Sequence, residues 1–119
     1  MPKFLVRARY SNEAFRGFLE DPADRKKTTE RLLTGAGITL LEWFFVPDTG
    51  ESVTIVQGDH EQVRLARMVA KATGAFASSE AVEIISSDEL SNMAQNAADI
   101  GRDYVAPHMD KIDRMLLDE

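Results

Sequence analysis

Residues 38–58, ITLLEWFFVPDTGESVTIVQG, constrain the fold more than any other stretch of the chain. Two apolar runs rich in β-branched and aromatic side chains, residues 38–46 and 51–57, flank Pro47-Asp48-Thr49-Gly50. Proline fixes φ and removes a donor, aspartate bonds to nearby backbone, and glycine accepts positive φ, so these four residues encode a turn. The flanking side chains suit a pleated strand, and the stretch reads as a β-hairpin. Its first strand carries apolar residues on both sides, with Leu40, Phe44 and Val46 on one and Leu41, Trp43 and Phe45 on the other. A strand of that kind is usually covered on both faces.

The remaining segments supply neighbours for the hairpin. Residues 3–10, KFLVRARY, alternate, with Phe4, Val6, Ala8 and Tyr10 on one side and Lys3, Leu5, Arg7 and Arg9 on the other. That period of two predicts a strand with one apolar face and one bearing two guanidinium groups. Ser11 and Asn12 can cap a helix whose first turn is suited by Glu13. Asp21-Pro22 is a restart signal, so a short helix over 12–20 and a longer one over 22–34 are expected, closed by Gly35-Ala36-Gly37. Asp59 with Gln62 forms a capping-box pattern ahead of a stripe of Val63, Ala66, Val69 and Ala70, ending near Thr73-Gly74. A fourth strand is expected over 80–86. A second capping box, Ser86 to Glu89, then opens an amphipathic helix with Leu90, Met93, Ala94, Ala97 and Ile100. Pro107 can start a terminal helix with Met109, Ile112 and Leu116 on its apolar side.

This order is a split βαβ pair, the ferredoxin-like βαββαβ pattern of an α+β protein. Its usual form is a four-stranded antiparallel sheet with helices on one face, here followed by two C-terminal helices. The first and third strands would be central. Residues 1–90 form the domain, and residues 91–119 an extension that packs on the same domain or on a partner subunit. The face without helices would then be closed by a second copy of the chain, making a homodimer or higher oligomer, or by the terminal helices.

Composition narrows the function classes. A chain of 119 residues is the size of one domain with its own core. It has no apolar run long enough for a membrane span, and Met1-Pro2-Lys3 leads into a strand rather than a signal peptide, so cytoplasmic residence is expected. The absence of cysteine removes disulfides, thiolate metal sites and thiol nucleophiles. A net charge of −6 argues against a dedicated nucleic-acid binder.

The same segments resemble the GYD domain family. PKFLVRARYSNEAF is similar to the family's first strand running into a polar helix start, and LLEWFFVPDTGESVTIVQGD to its hairpin and Asp-capped helix. The resemblance covers residues 2–90. The family's naming Gly-Tyr-Asp would fall at the turn, where this chain reads Gly50-Glu51-Ser52, so no role of that tyrosine or aspartate is carried over. The resemblance implies a dimeric ferredoxin-like α+β barrel of the small bacterial and archaeal kind, with no established reaction. Related barrels include cofactor-independent monooxygenases, haem-degrading enzymes and ligand-sensing domains, which is an analogy of fold alone.

Several residues are candidates for function. Arg7 and Arg9 would point to the open face, with Glu42, Leu40, Phe44 and Thr54 beside them, and two guanidinium groups there suit a carboxylate or phosphate. The alternative is an ion pair of Arg7 or Arg9 with Glu42 or Glu83, or plain solvation at the rim. Trp43 and Phe45, with Ile112 and Leu116 of the terminal helix, are the expected dimer contacts. His60 at a helix start is the candidate base, and Arg9 and His60 are the catalytic candidates for polarising a substrate. The two histidines have no metal-ligand spacing, and no phosphate-binding or nucleophile motif is present, so neither metal nor cofactor is expected. These features fit a small homo-oligomeric protein that binds an anionic or aromatic ligand between its sheets. A cofactor-independent monooxygenase or isomerase acting on a small aromatic substrate is the second class. An assembly or scaffold subunit using the acidic C-terminal helices is the third.

Overall fold

Lys3–Tyr10 (β1), Asn12–Glu20 (α1), Arg25–Gly35 (α2), Thr39–Val46 (β2), Glu51–Gln57 (β3), His60–Ala72 (α3), Phe76–Ile84 (β4) and Ser87–Gly101 (α4) follow one another along the chain in a computed structural model that describes residues 1–108. The first seven elements belong to one compact unit, Met1–Ile84, and α4 to a second that starts at Ile85. The strands form an antiparallel sheet in the order β2-β3-β1-β4, with β1 and β3 inside. This is the α+β ferredoxin-like arrangement, with α1 and α2 dividing the first helical segment.

Local chemistry sets the element ends. The hairpin turn closes through the Gly50 N–H, which donates to the Val46 carbonyl at 2.9 Å while Gly50 takes a φ of 72°. Asp59 and Gln62 form a reciprocal capping box at the start of α3. Two boundaries differ from expectation. Helix α2 starts at Arg25 rather than Pro22, because the Asp24 carboxylate accepts the Lys27 N–H at 3.2 Å and so provides the cap. Strand β4 spans Phe76–Ile84 rather than 80–86. Its pairing with β1, from Lys3 opposite Ile84 to Tyr10 opposite Phe76, draws the weak strand formers Ser78 and Ser79 into the ladder. That shift frees Ser86 to cap α4, where its hydroxyl accepts the Glu89 N–H at 3.1 Å.

Cross-strand register sorts the residues by face. Phe4, Val6 and Ala8 of β1 stand opposite Val56, Thr54 and Ser52 of β3, and this side is covered by helices. Leu33 of α2 and Val63 and Ala66 of α3 join Phe4, Ile38 and Val56 in one buried cluster. Strand β2 breaks its own alternation. Its register shifts between Leu40 and Glu42, leaving Leu41 as the extra residue of a β-bulge. Leu40 therefore falls on the helix side, packed against the core beside Val56, and not with Phe44 and Val46 as strict alternation predicts. Trp43 and Phe45 fall on the helix side too, opposite Thr54 and Ser52.

Gln62 ties the hairpin to α3. Its Oε1 accepts the Asp59 N–H at 2.9 Å, and its side chain lies between Gly37, just before β2, and Gly58, just after β3. A Cβ on Gly37 would come within 2.6 Å of Gln62 Nε2, and Gly37 holds a φ of 80°. Neither strand end leaves room for a larger residue against that amide.

The second unit is described as far as residue 108. Helix α4 carries Asp88 and Glu89 in its first turn, and Leu90, Met93 and Ile100 along it are exposed. The terminal helix expected beyond Pro107, with Ile112 and Leu116, lies outside the described residues. Among the described residues no helix is long and apolar enough to cross a membrane.

Gly37→Ala should lower the unfolding free energy by about 1–2 kcal/mol or more, the cost of a left-handed non-glycine residue plus displacement of Gln62. Gly35→Ala, at a helical position with open space around it, should be neutral or stabilising by up to about 1 kcal/mol. Urea denaturation of both variants checks this, and equal midpoints would contradict the role given to Gly37.

Candidate functional site

A concavity lies on the helix side of the sheet. Helices α2 and α3 both lie against it but do not pack closely on each other, and between them and the strands is a recess of about 440 Å³. Its sheet side is formed by Val6, Ala8, Ser52 and Thr54, and the α2 side by Arg25, Thr28, Thr29 and Leu32. Helix α3 contributes Val63, Ala66, Arg67 and Ala70. Each helical set follows the spacing i, i+3, i+4, i+7 that places side chains on one face.

Tyr10 and Phe76 mark one end of the recess, stacked with ring centroids 5.2 Å apart and planes 27° from parallel. The Arg25 guanidinium carbon lies 5.8 Å from the Tyr10 ring centroid, within cation–π range. Arg67 reaches β4 beside this pair, its Nη2 donating to the Ser79 carbonyl at 3.0 Å and its Nε to the Ser79 hydroxyl at 3.4 Å. The Ser52 hydroxyl donates to the Ala8 carbonyl at 3.5 Å, leaving lone pairs free to accept. Among the described residues that line the recess there is no histidine, aspartate or glutamate.

The residues singled out from sequence are distributed over three places. Arg7, Arg9, Glu42 and Phe44 stand on the face away from the helices. There Arg7 Nη2 donates to Glu51 Oε1 at 3.1 Å, an ion pair with a partner the sequence did not single out. Phe44 is 57% exposed, and Arg9 and Glu42 are exposed. Thr54 is buried on the opposite face, because it pairs with Val6 and Trp43 rather than with the arginines. It is the one member of that expected set that lines the recess.

Trp43 and Phe45 belong to an aromatic cluster of their own chain. They stack on each other at 6.3 Å, and Phe45 lies 6.2 Å from Phe15 of α1 and 6.1 Å from Tyr10. His60 sits by the start of β1, away from Tyr10, where its Nε2 is 2.9 Å from Glu83 Oε1 and its ring meets Phe4 edge-on at 5.1 Å. That placement fastens α3 to β4 and does not reach the recess. No group of three or more histidine, aspartate or glutamate side chains among the described residues could hold a metal ion.

Sequence reasoning missed Arg25, Arg67, Phe76 and Ser79. A signal existed for the arginines. Arg67 occupies a position inside the Val63–Ala66–Ala70 stripe, and Arg25 continues the stripe of Thr28, Thr29 and Leu32. A cation on the inward line of a helix indicates polar chemistry at the core's edge. Phe76 and Ser79 carried no comparable signal, since their roles come from pairing with β1.

No family model matches the chain, and no curated protein matches it. Among solved structures, a NIPSNAP family protein from Agrobacterium tumefaciens is similar at 10% identity, over 73% of this chain and 93% of that one, with a TM-score of 0.46. A second Agrobacterium tumefaciens protein is similar in two crystal structures. One is at 16% identity over 71% of this chain and 92% of that one, with a TM-score of 0.41. The other, described as a nipsnap family protein with unknown function, is at 16% identity over 70% and 86%, with a TM-score of 0.39.

The Thr49 hydroxyl, opposed in part by burial and supported by the charges of Arg7 and Arg9, holds the Glu51 carboxyl below its ordinary value of 4.5. A depressed carboxyl stabilises the fold at neutral pH and loses that contribution as pH falls through its folded-state value. Wild type should therefore exceed Glu51→Gln in urea midpoint at pH 7, with the difference shrinking below pH 4.5. A difference that grows on acidification would contradict this assignment.

Proposed function

We propose that this protein binds a small apolar or aromatic molecule in the recess between its sheet and α2–α3. The observation that carries this reading is the recess itself, about 440 Å³ bounded largely by apolar side chains. Its volume falls in the roughly 300–1,000 Å³ range of small-molecule sites. Protein interiors otherwise pack to crystal-like density, so apolar space of this size against a core is room for an occupant. The Ser52 and Thr54 hydroxyls on its sheet side and the Tyr10–Phe76 stack at one end would orient a planar or chain-like guest. Binding is favoured over proton-transfer catalysis, because no histidine or carboxylate among the described residues lines the space.

A second observation supports a homodimer. The face away from the helices has an apolar middle of Leu5, Val53, Ile55, Phe44 and Val82. Around it stand Lys3, Arg7 and Arg9 against Glu42, Glu51 and Glu80. Balanced charges around an apolar centre are self-complementary, and a two-fold contact sets one copy's cations against the other's carboxylates. A second copy of this chain is therefore the occupant we assign to that face. Arg9, without an ion pair among the described residues, would then be available to a partner carboxylate or to an anion held between the sheets.

The neutral probe N-phenyl-1-naphthylamine should brighten on binding wild type. Ala70→Phe, which fills the recess from α3, should weaken that binding by about tenfold or more while melting remains cooperative. A wild-type protein that gives no enhancement would refute the recess as a binding site.

Sedimentation at tens of micromolar should give a dimer for wild type and a monomer for Phe44→Asp. The exposed position of Phe44 lets the monomer keep its fold. A monomeric wild type would remove the dimer.

A further inference from the structure

The recess is apolar along most of its length but cationic where Tyr10 and Phe76 meet. Arg25 and Arg67 both come to that end, one over the Tyr10 ring and the other anchored on Ser79 of β4. Neither arginine forms a salt bridge with a carboxylate among the described residues. Arg25 Nε is buried and has no hydrogen-bond partner among the described residues. A buried donor without an acceptor is costly, and a guanidinium presents its donors in a fork that matches a carboxylate. Both arginines are half-buried and lie on the helix faces that line the recess.

We infer that the guest is a monocarboxylic acid with an apolar body, an aliphatic or aromatic acid, bound with its carboxylate at Arg25 and Arg67. The inference rests on the recess being the ligand site. The apolar body lies along Val6, Leu32, Val63 and Ala66, and the Ser52 and Thr54 hydroxyls lie beneath it. The carboxylate accepts from the terminal nitrogens of the Arg25 guanidinium and from the Arg67 donors not used by Ser79. The acid's negative charge is neutralised beside two half-buried guanidinium groups that have no carboxylate partner among the described residues, so acids are selected over alcohols of the same shape. Arg7 and Arg9, on the other face of the sheet, take no part.

Displacement of N-phenyl-1-naphthylamine at pH 7.5 tests this with two matched pairs, decanoate against 1-decanol and 2-naphthoate against 2-naphthol. On wild type each acid should displace the probe at about a tenth or less of the alcohol's concentration. Arg25→Gln and Arg67→Gln should each erase most of that preference, weakening the acids far more than the alcohols, and Arg9→Gln should leave it intact. Acids and alcohols displacing equally from wild type would overturn the carboxylate assignment and leave the recess standing. Failure of the probe to bind at all would remove the recess and the inference together. Loss of acid preference in Arg9→Gln alone would overturn it by placing the anion on the opposite face.

Discussion

Strand β1 is paired on both edges, with β3 from Lys3 to Arg9 and with β4 from Lys3 to Tyr10. The rest of the first unit depends on that double pairing. It fixes Phe4 opposite Val56 and Ala8 opposite Ser52, so the buried faces of the two inner strands coincide. A slip of one residue would turn every one of these side chains to the other face. It also brings Phe76 onto Tyr10 and Ser79 next to Ala8, which builds the cationic, aromatic end of the recess. The site is thus a by-product of register rather than of any single motif.

The bulge at Leu41 sets a second constraint. A strand that alternated without interruption would set Leu40 beside Phe44, on the side away from the helices. The extra residue turns Leu40 inward while keeping Trp43 and Phe45 inward as well. Strand β2 therefore gives the helices three large apolar residues and leaves Glu42, Phe44 and Val46 outward. The outward face becomes mixed in character, apolar at its centre and charged around it, and this composition is what the proposed homodimer contact would use.

Charge is divided between the two faces in different ways. On the outward face positive and negative side chains stand close enough to pair, as Arg7 and Glu51 do at 3.1 Å. On the helix side the recess holds arginine with no carboxylate among its described lining residues. An acid of apolar body is the chemistry that fits the second, and a second copy of the chain the chemistry that fits the first. The two assignments use different residues and can stand or fall independently.

The hairpin, the capping residues Ser11, Asp59 and Ser86, and the alternation of β1 were legible because each depends on neighbours a few residues away. Turn chemistry, cap hydrogen bonds and the period of two are local, and together they determined the element order and the α+β ferredoxin-like class. The face occupied by Leu40, the side on which Thr54 lies, and the meeting of Arg25, Arg67, Tyr10 and Phe76 were decided by tertiary structure alone. Those depend on a single bulged residue and on the register between strands separated by dozens of positions. A local pattern carries no information about which of two registers a distant strand adopts, because that choice is made by the burial of the whole face at once.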